Sequence, residues 1–168
     1  MSLQIRPLQS GDRESLYRIL VESFDGVSID QNIDGRLGST GQCDWQWRKG
    51  RHLDDDLRRD PAGVFVATID GQIAGFITTW MDREASVGFI PNLAVHRDHR
   101  GRGVGRKLLE SAIQHFRDQG LRLARIETLD QNPVGQHLYP SVGFVEVARQ
   151  IHFAMRLDTP GSDLGDAV

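Results

Sequence analysis

The strongest constraint in this chain is a single stretch, Asn92 to Leu109, NLAVHRDHRGRGVGRKLL. Leu93, Ala94 and Val95 read as the end of a buried strand, and His96 to His99 as a polar turn. Arg100 to Lys107 form a glycine-rich basic loop that runs into the apolar spacing of an amphipathic helix. A helix N-terminus leaves main-chain N–H groups without intrahelical partners, and its dipole favours an anion. Glycines let a phosphate approach those groups closely. The segment therefore predicts a strand–loop–helix unit of an α/β sheet whose loop holds a phosphate-bearing ligand mainly by main chain.

Spacing narrows the choice of phosphate motif. A P-loop requires G-x-x-x-x-G-K-[ST]. Counted from Gly101, Arg106 stands at the second glycine and Leu108 at the Mg²⁺-binding hydroxyl, so that reading fails. The dinucleotide fingerprint G-x-G-x-x-G is met by Gly101 and Gly103 but broken at Arg106. The spacing present is Arg-x-x-Gly-x-Gly, made by Arg100, Gly103 and Gly105. Downstream, Asn132 to Phe144 reads NPVGQHLYPSVGF.

Together these segments resemble the GCN5-related N-acetyltransferase (GNAT) superfamily. Its acyl-CoA loop is Gln/Arg-x-x-Gly-x-Gly/Ala, and its later motif runs Asn-x-x-Ala-x-x-Leu-Tyr-x-x-x-Gly-Phe. Asn132, Leu138, Tyr139, Gly143 and Phe144 fall on that second motif, and Gly135 replaces its alanine. The resemblance implies acetyl-CoA as co-substrate. The N–H groups of Gly101, Arg102, Gly103, Val104, Gly105 and Arg106 would hold the pyrophosphate, with Arg100, Arg102, Arg106 and Lys107 adding charge. The backbone of Leu93, Ala94 and Val95 would run beside the pantetheine arm. Asn132 would bond near the pantetheine or thiol, or cap the helix ahead of Pro133.

The chain has 168 residues, enough for one domain with a proper core. Its net charge of −3 argues against a general nucleic-acid binder. No run approaches the ~20 apolar residues of a membrane span, and MSLQIRPLQS lacks the apolar region of a signal peptide. With one cysteine, Cys43, no intrachain disulfide forms, and a cytoplasmic location is the simplest expectation. The histidines show no metal-ligand spacing, so no metal is expected.

Pattern and turn signals predict strands at 3–8, 64–69, 72–80, 85–95, 122–128, 142–147 and 151–157. They predict helices after Ser10 or Asp12, at 44–59, 103–118 and 133–141, with a loop at 25–41. Asp70-Gly71 marks a hairpin, and Pro91 marks a break in pairing within its strand. The order β-α-α-β-β-β-α-β-α-β-β, a mixed sheet of about seven strands with flanking helices, matches the GNAT fold. A single domain is expected over 1–157, with a flexible tail at 158–168.

The resemblance implies transfer of an acetyl group from acetyl-CoA to an amine by direct attack. Tyr139 is the candidate general acid: a phenol has a pKa of about 10 and stays protonated at neutral pH. The base is open. Some relatives carry a glutamate where this chain has Phe89, which leaves Glu127, Glu84, a base acting through water, or no base at all. Asp25, Asp30, Asp34, Asp44 and the run Asp54-Asp55-Asp56 could favour a cationic acceptor, although the run also reads as solvated surface. Trp45, Trp47 and Trp80 suit either an acceptor wall or the core. A catalytically silent acyl-CoA-binding module and a nucleotide-binding regulator are the competing readings. Edge strands of this fold often pair, so a homodimer is also open.

Overall fold

The computed structural model describes residues 2–158; the tail expected at 158–168 lies, beyond Asp158, outside the described residues. The chain forms β1 (Leu3–Pro7), α1 (Arg13–Phe24), α2 (Ile29–Leu37), α3 (Trp45–Arg59), β2 (Phe65–Ile69), β3 (Gln72–Asp82), β4 (Val87–Val95), α4 (Val104–Asp118), β5 (Leu123–Ile126) and α5 (Pro133–Leu138). The strands make one sheet in the order β1-β2-β3-β4-β5. The first three pairings are antiparallel, and β5 joins β4 in parallel through the α4 crossover.

Two cores sandwich the sheet. On one face α4 supplies Val104, Leu108, Leu109, Ala112 and Phe116, packed on Ala67, Ile77 and Ile90. On the other face α1 and α3 supply Leu16, Ile19, Leu20 and Leu53, packed on Val66, Phe76 and Ala94. The β2–β3 hairpin closes as its sequence requires. Asp70 and Gly71 both have positive φ, 49° and 84°, the conformation of a type I′ turn. Asp44 caps α3 by accepting from Trp47 N at 2.8 Å. Asp12 does not cap α1 with its side chain. Its carboxylate grips the Arg6 guanidinium at 2.7 and 2.9 Å and accepts from Gln9 N.

Two expectations need correction. Residues 25–41 contain α2. Asp30 and Asp34 of this polar helix bind the Arg48 guanidinium of α3 at 3.1 and 2.6 Å, so tertiary ion pairing sets a helix that no apolar period announces.

The second correction concerns strand number: the sheet has five strands among the described residues, not seven. Residues 145–157 join no ladder among the described residues. Val145, Val147, Ile151, Phe153, Met155 and Leu157, all at odd positions, are exposed. The alternation is present, but Ala148-Arg149-Gln150 lacks the glycine or asparagine that closes a tight hairpin. The four-residue β5 offers a short edge, and Arg149 and Arg156 tether the segment through side chains instead.

The irregularity that positions the site lies in β4. Thr78 pairs with Asn92, and Trp80 with Phe89, so Ile90 and Pro91 together oppose Thr79. This is a bulge at the proline, which has no N–H to lose from a ladder. Without it Ile90 and Asn92 would share a face. With it Ile90 enters the α4 core, while Asn92 turns toward α3.

Candidate functional site

The parallel pairing of β4 with β5 covers only Val87 to Ile90. Beyond the bulge the two strands part, and Pro91 to Val95 have a strand neighbour on the β3 side alone. Antiparallel ladders alternate, and the His96 N to Ala74 O bond fixes the phase. Ala94 thus spends its main-chain groups on β3, whereas those of Leu93 and Val95 face the open side. The Val95 carbonyl is already met there by Ser23 Oγ at 3.0 Å and Arg100 Nε at 3.2 Å.

At the end of this open edge lies the glycine loop. Gly101 and Gly103 have φ of 72° and 79°, and Gly103 is the residue at the N-cap of α4. The first intrahelical bond is Lys107 N to Gly103 O. The N–H groups of Val104, Gly105 and Arg106 therefore point out of the first turn, toward where an anion would sit. Gly105 is in close quarters: a Cβ there would lie 3.3 Å from Leu138 and 3.6 Å from Val95. The Arg106 side chain turns away and donates to Ser141 O and Oγ at 3.1 and 2.8 Å. Lys107 approaches Glu110 at 3.9 Å. These residues fit a pyrophosphate held by main chain, with Arg106 contributing its N–H and not its charge.

Tyr139 caps the C-terminus of α5 and, like Leu93, Val95 and Leu138, packs against the α4 core. Burial pushes its phenol up to about 12. Its hydroxyl has no hydrogen-bond partner among the described residues. Asn132 is engaged locally: Oδ1 accepts from Gly135 N at 3.2 Å and Nδ2 donates to Thr128 Oγ1 at 2.8 Å. It is the helix cap that its place before Pro133 suggests. Gly135 is more constrained than a helix position implies, because a Cβ would lie 2.9 Å from both Asn132 Nδ2 and Thr128 Oγ1, and 3.1 Å from the Tyr139 ring.

Glu127 sits on the rim, its side chain 77% exposed and paired with Arg125 at 3.0 Å. Glu84 is exposed in the β3–β4 turn. The tryptophans divide: Trp45 is core, Trp47 lies under the Arg51 guanidinium on the surface, and Trp80 stacks on Phe89 at 3.9 Å. Cys43 is a half-buried free thiol. No group of metal-ligating side chains occurs among the described residues.

Two cavities flank the bulge. One, of about 300 Å³, is the notch between β4 and β5, lined by Trp80, Phe89, Pro91, Arg125 and Glu127 among others. The other, of about 320 Å³, lies against α3 and is lined by Lys49, His52, Asp56, Arg59 and Asn92. Trp80 and Pro91 line both.

The second cavity was not legible as a site. Asp54 and Asp55 are the surface carboxylates their run suggests, paired with Arg13 and Arg58. Asp56 is not: it is 9% exposed and accepts from Thr78 Oγ1 at 3.0 Å and Asn92 Nδ2 at 2.6 Å. Desolvation raises its pKa, opposed by those two bonds. Asn92 Oδ1 is buried without a partner. The available signal was helical spacing, since Lys49, Leu53 and Asp56 fall on one face.

Comparison with known proteins agrees with this geometry. The family model described as the acetyltransferase (GNAT) family matches residues 14–144. The chain is 28% identical over 144 residues to an uncharacterized N-acetyltransferase of Archaeoglobus fulgidus, covering 83% of this chain and 90% of the relative. It is 34% identical over 98 residues to the mycothiol acetyltransferase of Streptomyces coelicolor, covering 56% of this chain. There it spans only 32% of the relative's length. Its fold superposes on the PaiA N-acetyltransferase of Thermoplasma acidophilum, solved in complex with coenzyme A, with a TM-score of 0.66 at 22% identity, over 86% of this chain and 91% of that one. The match over residues 14–144, on a splayed mixed sheet with a glycine loop at its crossover helix, establishes that the chain belongs to the acetyltransferase (GNAT) family.

Proposed function

We propose that the protein is an N-acetyltransferase that moves the acetyl group of acetyl-CoA to a primary amine by direct attack in a ternary complex. The observation that carries this reading is the open edge of β4. It begins at the bulge and ends at the anion-ready turn of α4, so one extended ligand can meet both. The pyrophosphate takes the N–H groups of the Gly101 to Arg106 loop, and the pantetheine amides pair with Leu93 and Val95 like a missing strand. The thioester then arrives at the notch beside Pro91.

In this reading the neutral amine attacks the acetyl carbonyl carbon, the C–S bond breaks, and the sulfur leaves as thiolate. Tyr139 keeps its proton throughout the working pH range and presents a free hydroxyl. A phenol held near 12 is a weak acid, so its contribution is a strong hydrogen bond to the developing thiolate. Phe89 supplies no base, and Glu127 on the exposed rim is better placed to pair with Arg125 than to take a proton from a desolvated amine. The cavity beside α3 suits a small amine or the end of a chain, since about 320 Å³ is at the lower limit of ligand pockets.

Tyr139→Phe tests the assignment. We expect kcat to fall roughly 10- to 1,000-fold with little change in acetyl-CoA affinity. An unchanged kcat removes Tyr139 from the mechanism. Tight acetyl-CoA binding without thiol release across a broad amine panel favours a silent acyl-CoA-binding module instead.

A further inference from the structure

The α3 cavity carries charges that the acetyl-transfer chemistry does not require. Lys49, His52, Asp56 and Arg59 recur along one face of α3 at spacings of three and four residues, and all line the cavity, as does Asp55, whose carboxylate is paired with Arg58. His52 faces Asp30 at 3.7 Å. Both cations of the cavity lie against aromatic rings. The Lys49 ammonium lies 3.8 Å from the centre of the Phe24 ring, and the Arg59 guanidinium 4.7 Å from that of Trp80. Neither has a carboxylate within ion-pairing distance among the described residues.

Burying an ammonium is costly: desolvation lowers the Lys49 pKa to about 8, and the longer-range attraction of Asp30 and Asp56 opposes it only in part. Between the two cations along the helix sits Asp56, held by Thr78 and Asn92. Beside it Asn92, 2% exposed, has an unpartnered Oδ1. The orientation of that amide is set by chemistry, because the Asp56 carboxylate at 2.6 Å demands the NH₂ end.

Resting on the acetyltransferase reading above, we infer that this cavity is the acceptor subsite and that it selects a primary amine carrying an anionic group. The ammonium end meets Asp56 and the Asn92 Oδ1, and the anion meets Lys49 and Arg59. Continuity with the notch through Trp80 and Pro91 brings the amine to the thioester. The protons balance. Of the three on the incoming ammonium, one passes to the Asp56 carboxylate and on to solvent, freeing the lone pair for attack. A second is lost from the tetrahedral adduct and ends on the CoA sulfur. The third remains on the amide.

The test uses the full chain and pairs of short amines that differ only in charge: ω-amino acids from glycine to 6-aminohexanoate, each against its carboxamide. O-phosphoethanolamine against ethanolamine separates phosphate from carboxylate. Thiol release gives kcat/KM, and saturation-transfer NMR on the CoA-loaded protein scores binding of the same pairs whether or not turnover occurs. We expect at least one anionic amine to exceed its neutral twin by about 10-fold or more in both readouts. Lys49→Met should collapse that ratio toward one while acetyl-CoA binding is retained. Asp56→Asn should weaken binding of both members of each pair. Equal binding of anionic and neutral twins overturns the subsite, as does a ratio that survives Lys49→Met. Binding preference without thiol release from any amine sinks acetyl transfer and leaves the subsite standing.

Discussion

Lys49→Met should make the protein more stable. The ammonium pays for its half-buried place against Phe24 with a pKa near 8, against an ordinary value of 10.5. At about 1.4 kcal/mol per tenfold change in proton affinity, that difference amounts to at most ~3.5 kcal/mol of destabilisation when the lysine is charged in both states. Residual contact with water lowers the figure. Methionine keeps an apolar stem on the same face but loses the cation–π contact, worth roughly 0.5–1 kcal/mol. A net gain of about 1–2 kcal/mol remains, or roughly 2–8 °C in Tm for a domain of this size. The pH dependence gives the sign. Below pH 8 the lysine is protonated folded and unfolded, so the cost is full. Between 8 and 10.5 the unfolded chain holds the proton and the folded chain does not, so wild-type stability rises with pH through this window. The advantage of Lys49→Met should therefore be largest at pH 7 and shrink by pH 9.5. Urea denaturation of both proteins at the two pH values measures it, and the double difference cancels other titrating groups. Equal or lower stability of Lys49→Met at pH 7, or an advantage that does not narrow, would refute the claim that Lys49 sits strained and unpaired.

Four further outcomes follow from the geometry. Asp56→Asn should lower kcat/KM about 100-fold and remove the acidic limb of its pH profile; a limb that persists in the residual activity means that another group takes the proton. Gly103→Ala, at φ 79°, should cost about 1–2 kcal/mol and weaken acetyl-CoA binding, and calorimetric affinity equal to wild type would separate the loop from the pyrophosphate. Gly135→Ala forces a methyl to within 2.9 Å of Asn132 and Thr128 and 3.1 Å of the Tyr139 ring. It should lower Tm and kcat together, and a kcat that holds while Tm falls would show that the ring's place does not govern catalysis. The exposed apolar stripe from Val145 to Leu157 should promote association of two copies; sedimentation showing only monomer from micromolar to millimolar concentration would exclude that role.

The loop proposed for the acyl donor was legible as local structure because it is built from backbone. Gly103 and Gly105 are visible as letters, and the conformations they permit are local, so the strand, the loop and the start of α4 could be read within a residue or two. Asp70-Gly71 and Pro91 were legible for the same reason: each restricts its own φ or removes its own N–H. What failed depended on distant partners. Nothing near Asp30 and Asp34 announces that Arg48 will fold them into α2. The last two strands were expected from alternation alone, but alternation specifies a face and not a partner, and residues 145–157 find none among the described residues. Asp56 was misjudged for a related reason. It shares a run with Asp54 and Asp55, and only the rotation of α3 distinguishes the residue that meets Thr78 and Asn92 from the two that meet arginines.

The bulge at Pro91 joins these two kinds of information. On its far side the main chain of β4 is released from pairing, which serves any ligand with amides in a row. On the same stretch the extra residue turns the Asn92 side chain away from the α4 core and into contact with Asp56. A change that removed the bulge would therefore damage both halves at once: it would close the edge that a pantetheine needs and withdraw the donor that holds the buried carboxylate. Substitutions on α3 would reach the acceptor half alone, because Lys49, Asp56 and Arg59 contribute nothing to the α4 loop. On the proposed reading, the two substrates are thus coupled by one backbone irregularity yet separable by side chain. On that same reading, substitutions at Lys49, Asp56 and Arg59 would alter acceptor preference while leaving the α4 loop as it is.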